Sequence, residues 1–253
     1  MKNYKIHSKY LSLTVQLIDI IENFSSKGKL VGDGDRNKIK IFEVEGKTIN
    51  IKSFKIPNII NQVAYQYFRK SKAQRSYEYA NILIGKNIGT PKPIAFYERA
   101  SFLGLRDSYY LCQHLNYELT FRELVTQPDY PDHENILRKF TLFTWKMHEK
   151  GILFKDHSPG NTLIVKNEEN YNFYLVDLNR MSFFELDFES RMKNFSRLTP
   201  KKEMIKIMSD EYAKLSGLSF ENIFEKMWYY TNQFQVKYHR KKRLKQKYFR
   251  KKK

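Results

Sequence analysis

Three short polar side chains at the ends of apolar runs constrain this chain more than any other feature. In KMHEKGILFKDHSPGNTLIV (146–165), Asp156 stands just before the apolar run Thr162–Val165, and Asn161 opens that run. A polar turn, KNEENYN, leads to a second run, Phe173–Val176, which Asp177 closes. Two short runs separated in this way read as an antiparallel hairpin. Such a hairpin sets the start of its first strand beside the end of its second, so Asn161 and Asp177 are expected to be neighbours. An amide oxygen next to a carboxylate makes a hard-oxygen site suited to Mg²⁺, which takes few protein ligands and completes its shell with phosphate and water. Asp156, close by, is placed to accept a proton from an attacking hydroxyl. Positioned groups and neutralised charge are what phosphoryl transfer asks of a protein.

That chemistry also needs a cation on a strand to meet the α/β-phosphates, a helical carboxylate to orient the cation, and a backbone loop over the phosphates. TINIKSFK supplies Lys52, with Lys55 as the competing lysine. KSKAQRSYEYANIL contains one acid, Glu78, expected to pair with Lys52. VGDGDRN supplies Gly32 and Gly34, which fit either a phosphate loop or a plain hairpin turn.

The surrounding pattern predicts the elements that carry these residues. Tyr10–Phe24 has apolar residues at helical spacing. Ile39, Ile41 and Val44, then Ile49, Ile51 and Phe54, alternate on either side of Glu45-Gly46 and predict a β-hairpin. Residues 62–87 read as helix in two pieces, TPKPIAFYE as a short strand, and SYYLCQHL as a strand rich in β-formers. DHENILRKFTLFTWKMHEKG predicts a long helix with Asp132 as N-cap and Gly151 as its stop. Everything after about Phe188 reads as helix, with Thr199-Pro200 opening one segment and Ser219 another. Strands around one helix, followed by a mostly helical part with one hairpin, make an α+β pattern with a boundary near Leu115–Thr120. The expected division is 1–115, 116–236, and a basic tail at 237–253.

The order glycine loop, Lys, Glu, Asp/Asn, Asp is that of two-lobed protein-kinase-like folds. HEKGILFKDHSPGN, with GDGDRN, KSKAQRSYEYANIL and GTPKPIAFYE, resembles the bacterial lipopolysaccharide kinases of the Kdo/WaaP (InaA-type) group over roughly Lys29 to Met181. The resemblance implies a cytoplasmic enzyme that uses ATP to phosphorylate Kdo or heptose in the lipopolysaccharide inner core. By motif position Asp156 is the base, Asn161 and Asp177 are the Mg²⁺ ligands, and Lys52 with Glu78 is the phosphate-orienting pair. Lys155 reaches the γ-phosphate or is a surface lysine. Cys112 lines the adenine pocket, with backbone groups of Gln113 and Leu115 at the adenine edge. Two departures stand out. Phe154 takes the place of the His in H-R-D, and Asp177 is followed by Leu178-Asn179 rather than Phe-Gly. The latter implies constitutive activity rather than switching by a flipping loop. His148, at a helix end, reads as structural, and His157 and Ser158 as loop residues.

The 253-residue chain carries a formal charge of +19, which points to a polyanionic partner. Ten of the last fourteen residues are Lys or Arg. Such a tail suits the anionic inner face of the cytoplasmic membrane, placing the enzyme there as a peripheral protein; RNA is the alternative partner. No DNA partner is expected. One cysteine, Cys112, permits no internal disulfide and fits a reducing compartment. No stretch approaches twenty apolar residues, and the N-terminus lacks the pattern of a signal peptide. The competing functional classes are a kinase of another acceptor, small molecule or protein, and a basic ATP-binding pseudokinase or RNA-binding module.

Overall fold

The computed structural model describes residues 2–31, 37–55, 70–101, 104–168 and 170–250. Gly32, Gly34 and the first piece of the 62–87 helix lie outside them. The chain forms two compact units, Met1–Asn116 together with Val176–Asn179, and Tyr117–Leu175 together with Arg180–Lys253.

The first unit is built on a six-stranded antiparallel sheet. Its strands are β1 (Lys2–Ile6), β2 (Lys29–Val31), β3 (Asn37–Val44), β4 (Lys47–Phe54), β5 (Pro93–Ser101) and β6 (Gly104–Gln113), in the order β1-β5-β6-β4-β3-β2. The expected hairpin is β3–β4. Val44 pairs with Lys47, and Glu45 and Gly46 both have positive φ (46° and 71°), as a two-residue turn with right-handed strand twist requires. Helix α1 (Thr14–Glu22), entered through a 3-10 turn at Ser8–Leu13, covers one face of the sheet. Leu13, Leu17, Ile20, Ile21 and Phe24 pack there against Ile49, Ile51, Tyr97, Tyr109 and Leu111. On the other face lies α2 (Lys72–Gly85), capped by the Ser71 side chain and buried through Ala73, Tyr77, Ala80 and Leu83. Phe96, Tyr110 and Lys52 stand in one cross-strand row on β5, β6 and β4. The Tyr77 ring meets Phe96 from above (centroids 5.6 Å apart), so Lys52 belongs to the α2 face.

The second unit is mainly helical: α3 (Phe121–Thr126), α4 (His133–Glu149), α5 (Phe188–Asn194), α6 (Lys202–Ser216) and α7 (Phe220–Arg250). Its core joins Phe121, Leu137, Phe140, Phe195, Met208, Tyr212 and Met227. It also holds two small sheets. One consists of β7 (Leu119–Thr120), β9 (Thr162–Asn167) and β10 (Asn170–Leu175); the other pairs β8 (Ile152–Phe154) with β11 (Met181–Phe183). The first two residues after α4 are Lys150 and Gly151, with Gly151 at φ 68° as the expected stop.

Several expectations are corrected. Asp132 holds the N-cap position of α4 as expected, but without a side-chain cap: its φ is 62°, and its carboxylate accepts from the Asn135 side chain instead of a backbone N–H. Helix α6 begins at Lys202, not at Pro200; Thr199 instead accepts from the Lys201 N–H. Strands β1, β2, β7, β8 and β11 have no counterpart among the strands expected from the pattern. Helix α7 does begin after Ser219, whose hydroxyl accepts from the Asn222 N–H.

Candidate active site

Lys52 projects from β4, and its ammonium lies 2.6 Å from Asp177 Oδ1. Asp177 sits just past the end of β10 with φ 61°, a left-handed conformation that Asp tolerates better than most residues. The same carboxylate oxygen accepts from Asn179 Nδ2 at 2.6 Å. Asn179 is itself held through its carbonyl by Nη1 of the buried Arg75 on α2, at 2.8 Å. Helix α2 therefore supports the Asp177 segment through an arginine.

The expected Lys52–Glu78 pair is not formed. Glu78 is taken by Lys70 (2.8 and 2.9 Å) and by Gln74 (3.0 Å), while Lys52 is taken by Asp177. The reason lies in the chain: Lys70 precedes the N-cap of α2 and folds back on the half-exposed carboxylate two turns later. Sequence reasoning gave Glu78 one possible partner and overlooked a lysine eight residues away. It also missed Arg75, which lies off the apolar stripe of α2 and gave no signal of burial.

In the second unit, β9 and β10 pair with Thr162 opposite Leu175, so Asn161 leads into that paired end and Val176-Asp177 lead out of it. Asn161 Nδ2 donates to the Asp156 carbonyl at 2.8 Å, which orients the Asn161 side chain and closes the loop between them. Only its Oδ1 then remains as a metal donor. Asp156 Oδ1 lies 2.7 Å from Arg197 Nη1. Lys155 has an exposed side chain, and its N–H donates to the Arg180 carbonyl at 3.0 Å.

The loop rests on a buried aromatic and imidazole cluster. His157 lies in the loop, as expected, but its side chain is fully buried among Phe140, Phe154 and Phe195. Burial drives its imidazole down to about 3. His148, structural as expected, sits between the Tyr212 hydroxyl and Asn194 Oδ1, each at 3.1 Å, and burial lowers it to about 4. Asn194 Nδ2 in turn holds the Phe154 carbonyl at 2.8 Å. Residues 194–197 thus brace the Asp156 loop from behind, a relation that no spacing in the sequence announces.

At the end of β6, Gln113 donates its N–H to the Lys92 carbonyl at 2.9 Å, and His114 donates to Thr48 at 2.8 Å. The Gln113 N–H is therefore engaged. The alternation of an antiparallel ladder turns its carbonyl away from β4. Leu115 follows in irregular backbone. Cys112 is buried, which pushes its thiol up to about 12 and makes it a packing group rather than a nucleophile.

Asn161 Oδ1 in the second unit and the Asp177 carboxylate in the first are each an oxygen donor of the kind a hard cation takes. Among the described residues no group of three or more His, Cys, Asp or Glu side chains is placed to hold a metal ion.

An antiparallel sheet with its Lys52–Asp177 pair, followed by a helical unit with a braced Asp-x-x-x-x-Asn loop, defines an α+β fold of the protein-kinase-like class. The sequence matches the lipopolysaccharide kinase (Kdo/WaaP) family model over residues 23–217, and the chain belongs to that family. It is therefore a phosphotransferase of an ATP-using kind. The structure is similar to that of WaaP in complex with acyl carrier protein, with TM-score 0.64 and 12% identity, covering 94% of this chain and 98% of that one. It is more loosely similar to the Rio2 kinase–ADP/Mg²⁺–phosphoaspartate complex of Chaetomium thermophilum (TM-score 0.47, 14% identity, 87% and 75% covered). The MAP kinase LmaMPK10 of Leishmania major is similar to the same degree (TM-score 0.45, 16% identity, 85% and 65% covered). No curated protein matches the sequence. No described helix is long and apolar enough to cross a membrane.

Proposed function

We propose that this protein transfers the γ-phosphoryl group of ATP to a sugar hydroxyl, of Kdo or heptose, in the lipopolysaccharide inner core. The observation that carries this reading is the Asp156 loop, in which Asn161 fixes the backbone of the reactive aspartate through one side-chain atom and keeps the other for a metal. In the step, the acceptor oxygen forms a bond to the γ-phosphorus and the bond to the β,γ-bridging oxygen breaks. ADP leaves, and the acceptor proton passes to the Asp156 carboxylate. Asn161 Oδ1 and Asp177 would hold Mg²⁺, which supplies charge neutralisation on the phosphates when bound. Lys52, already beside Asp177, is suited to the α/β-phosphates, and Lys155 to the γ-phosphate. The Gln113 carbonyl and the Leu115 backbone would meet the adenine edge.

The basic end of α7 is assigned to an anionic membrane surface, where a lipid-anchored acceptor is found. This would make the enzyme a peripheral protein of the inner face of the cytoplasmic membrane.

The test is phosphate transfer from radiolabelled ATP to purified core acceptors. Asp156→Ala should lower turnover by about 10² to 10⁴, the usual contribution of a general base, with nucleotide binding nearly intact. Undiminished turnover in Asp156→Ala would remove the assignment.

A further inference from the structure

The loop's own cation does not hold Asp156. Lys155, one residue before it, is exposed, and the group that reaches the carboxylate comes from 41 residues further on, at the end of the 3-10 turn Phe195–Arg197. Arg197 Nη1 lies 2.7 Å from Asp156 Oδ1 and 3.1 Å from the Lys155 carbonyl. One guanidinium nitrogen thus grips the loop at two points, one on the reactive side chain and one on the backbone beside it. The guanidinium also lies over the ring of Phe234 on α7, 5.6 Å from the centroid. Its Nε is buried and has no hydrogen-bond partner among the described residues.

Asn161 fixes only the backbone of Asp156, because it bonds to the carbonyl. Rotation about the side-chain bonds of the aspartate is left to another group, and Arg197 is the group that meets it. With Oδ1 bound to Arg197, Oδ2 is the oxygen left to face an acceptor hydroxyl. Bidentate-capable guanidinium on carboxylate is a directional contact that an ammonium does not reproduce. The aromatic face under the arginine limits its swing and adds a cation–π attraction.

We propose that Arg197, backed by Phe234, is a positioning residue that fixes the orientation of the Asp156 carboxylate for proton acceptance. This rests on the reading of Asp156 as the base. A misplacement of about 1 Å in a reacting group costs up to about 10² in rate. Arg197→Met should therefore lower kcat by about tenfold to a hundredfold, with KM for ATP changed less than about twofold. Arg197→Lys should recover part of the loss, and Phe234→Ala should fall between wild type and Arg197→Met.

The decisive measurement is a double-mutant cycle with Asp156→Asn, read with radiolabelled ATP. Residues that act as a unit are strongly non-additive, so in the Asp156→Asn background Arg197→Met should cost less than about twofold further. A structural role would instead impose the same factor in both backgrounds, with a parallel fall in melting temperature, and would overturn the proposal. Wild-type kcat in Arg197→Met would overturn it too. If Arg197→Met does not fold, Arg197→Lys and Phe234→Ala carry the same cycle. A wild-type protein with no ATP-dependent transfer would remove the kinase reading and this inference with it. An inactive Asp156→Asn beside an unaffected Arg197→Met would remove the inference alone.

Discussion

Two buried imidazoles make the stability of the second unit depend on pH. Burial lowers His148 to about 4 and His157 to about 3, against about 6.5 in an unfolded chain. The folded protein is the weaker proton binder, so stability is full above about pH 6.5. It falls as the pH drops below that value toward the folded pKa values. Each imidazole contributes a slope approaching about 1.4 kcal/mol per pH unit once the unfolded chain is protonated. Urea unfolding between pH 7.5 and 5 should show the midpoint falling with acid. His157→Leu, which keeps the apolar contacts with Phe140, Phe154 and Phe195, should lower that slope by about half. An unchanged slope in His157→Leu would show that the imidazole does not sense folding. His157 also illustrates how much of the site was legible at this scale. Its neighbours Asp156 and Asn161 stand out as candidates because their chemistry and spacing are informative. Burial of His157 could not, because it depends on aromatic residues 17 positions before it and 38 positions after it.

Elements were legible in proportion to how locally they are determined. The β3–β4 hairpin and the end of α4 follow from residues within a few positions of each other, and both lie where the pattern put them. Strand β1 has no such pattern. Lys2 to Lys5 are all exposed, and the segment is a strand only because β5 offers it an edge. Lysines on such an edge also discourage further pairing. Strands β8 and β11 are three residues each and are defined by one another across the intervening chain. The stop of α4 belongs to the same small sheet. Gly151 has φ 68°, and a Cβ there would lie 2.9 Å from the Phe184 carbonyl oxygen, whose residue donates its N–H to the Gly151 carbonyl. Gly151→Ala therefore meets both backbone strain and a contact with main chain that cannot move aside cheaply. It should destabilise the protein by about 1 to 3 kcal/mol, read as a lowered melting temperature. Gly46→Ala is the control: its φ is 71° but nothing lies within 4 Å of the added Cβ, so its cost should be the smaller. Equal losses at the two glycines would mean that the Phe184 contact yields freely.

At the scale of the whole chain, the +19 charge has one concentrated outlet. Helix α7 is docked by Ile223, Met227 and Thr231, then half-buried at Phe234, and exposed on every side from Val236 through Lys247. The tail anticipated from sequence thus continues a helix whose first half is anchored in the core, and about 20 Å of it, from Lys237 on, is a basic rod. The helical form limits what the charge can do. Arg240, Lys241, Lys242, Arg243, Lys245 and Lys247 point around the whole circumference, so a flat surface meets about half of them at once. At about 1 kcal/mol for each basic residue near an anionic membrane, about three or four engaged side chains give about 3 to 4 kcal/mol. That corresponds to a partition ratio of about 10² to 10³, too weak to hold the protein permanently but enough to concentrate it at the surface. Removing residues after Tyr238 should lower co-sedimentation with anionic liposomes by about that factor and leave binding to neutral liposomes unchanged. Raising salt from 50 to 500 mM should erase most of the difference, because exposed charges are screened over a few ångströms at that strength. Turnover on a soluble acceptor should change little, and turnover on a membrane-embedded acceptor should fall. The same rod could lie along RNA phosphates. In that case full-length protein would retain RNA under competition from anionic liposomes, and truncation would abolish RNA binding without changing liposome sedimentation. Equal sedimentation of the full-length and truncated proteins with anionic liposomes would rule out the membrane assignment.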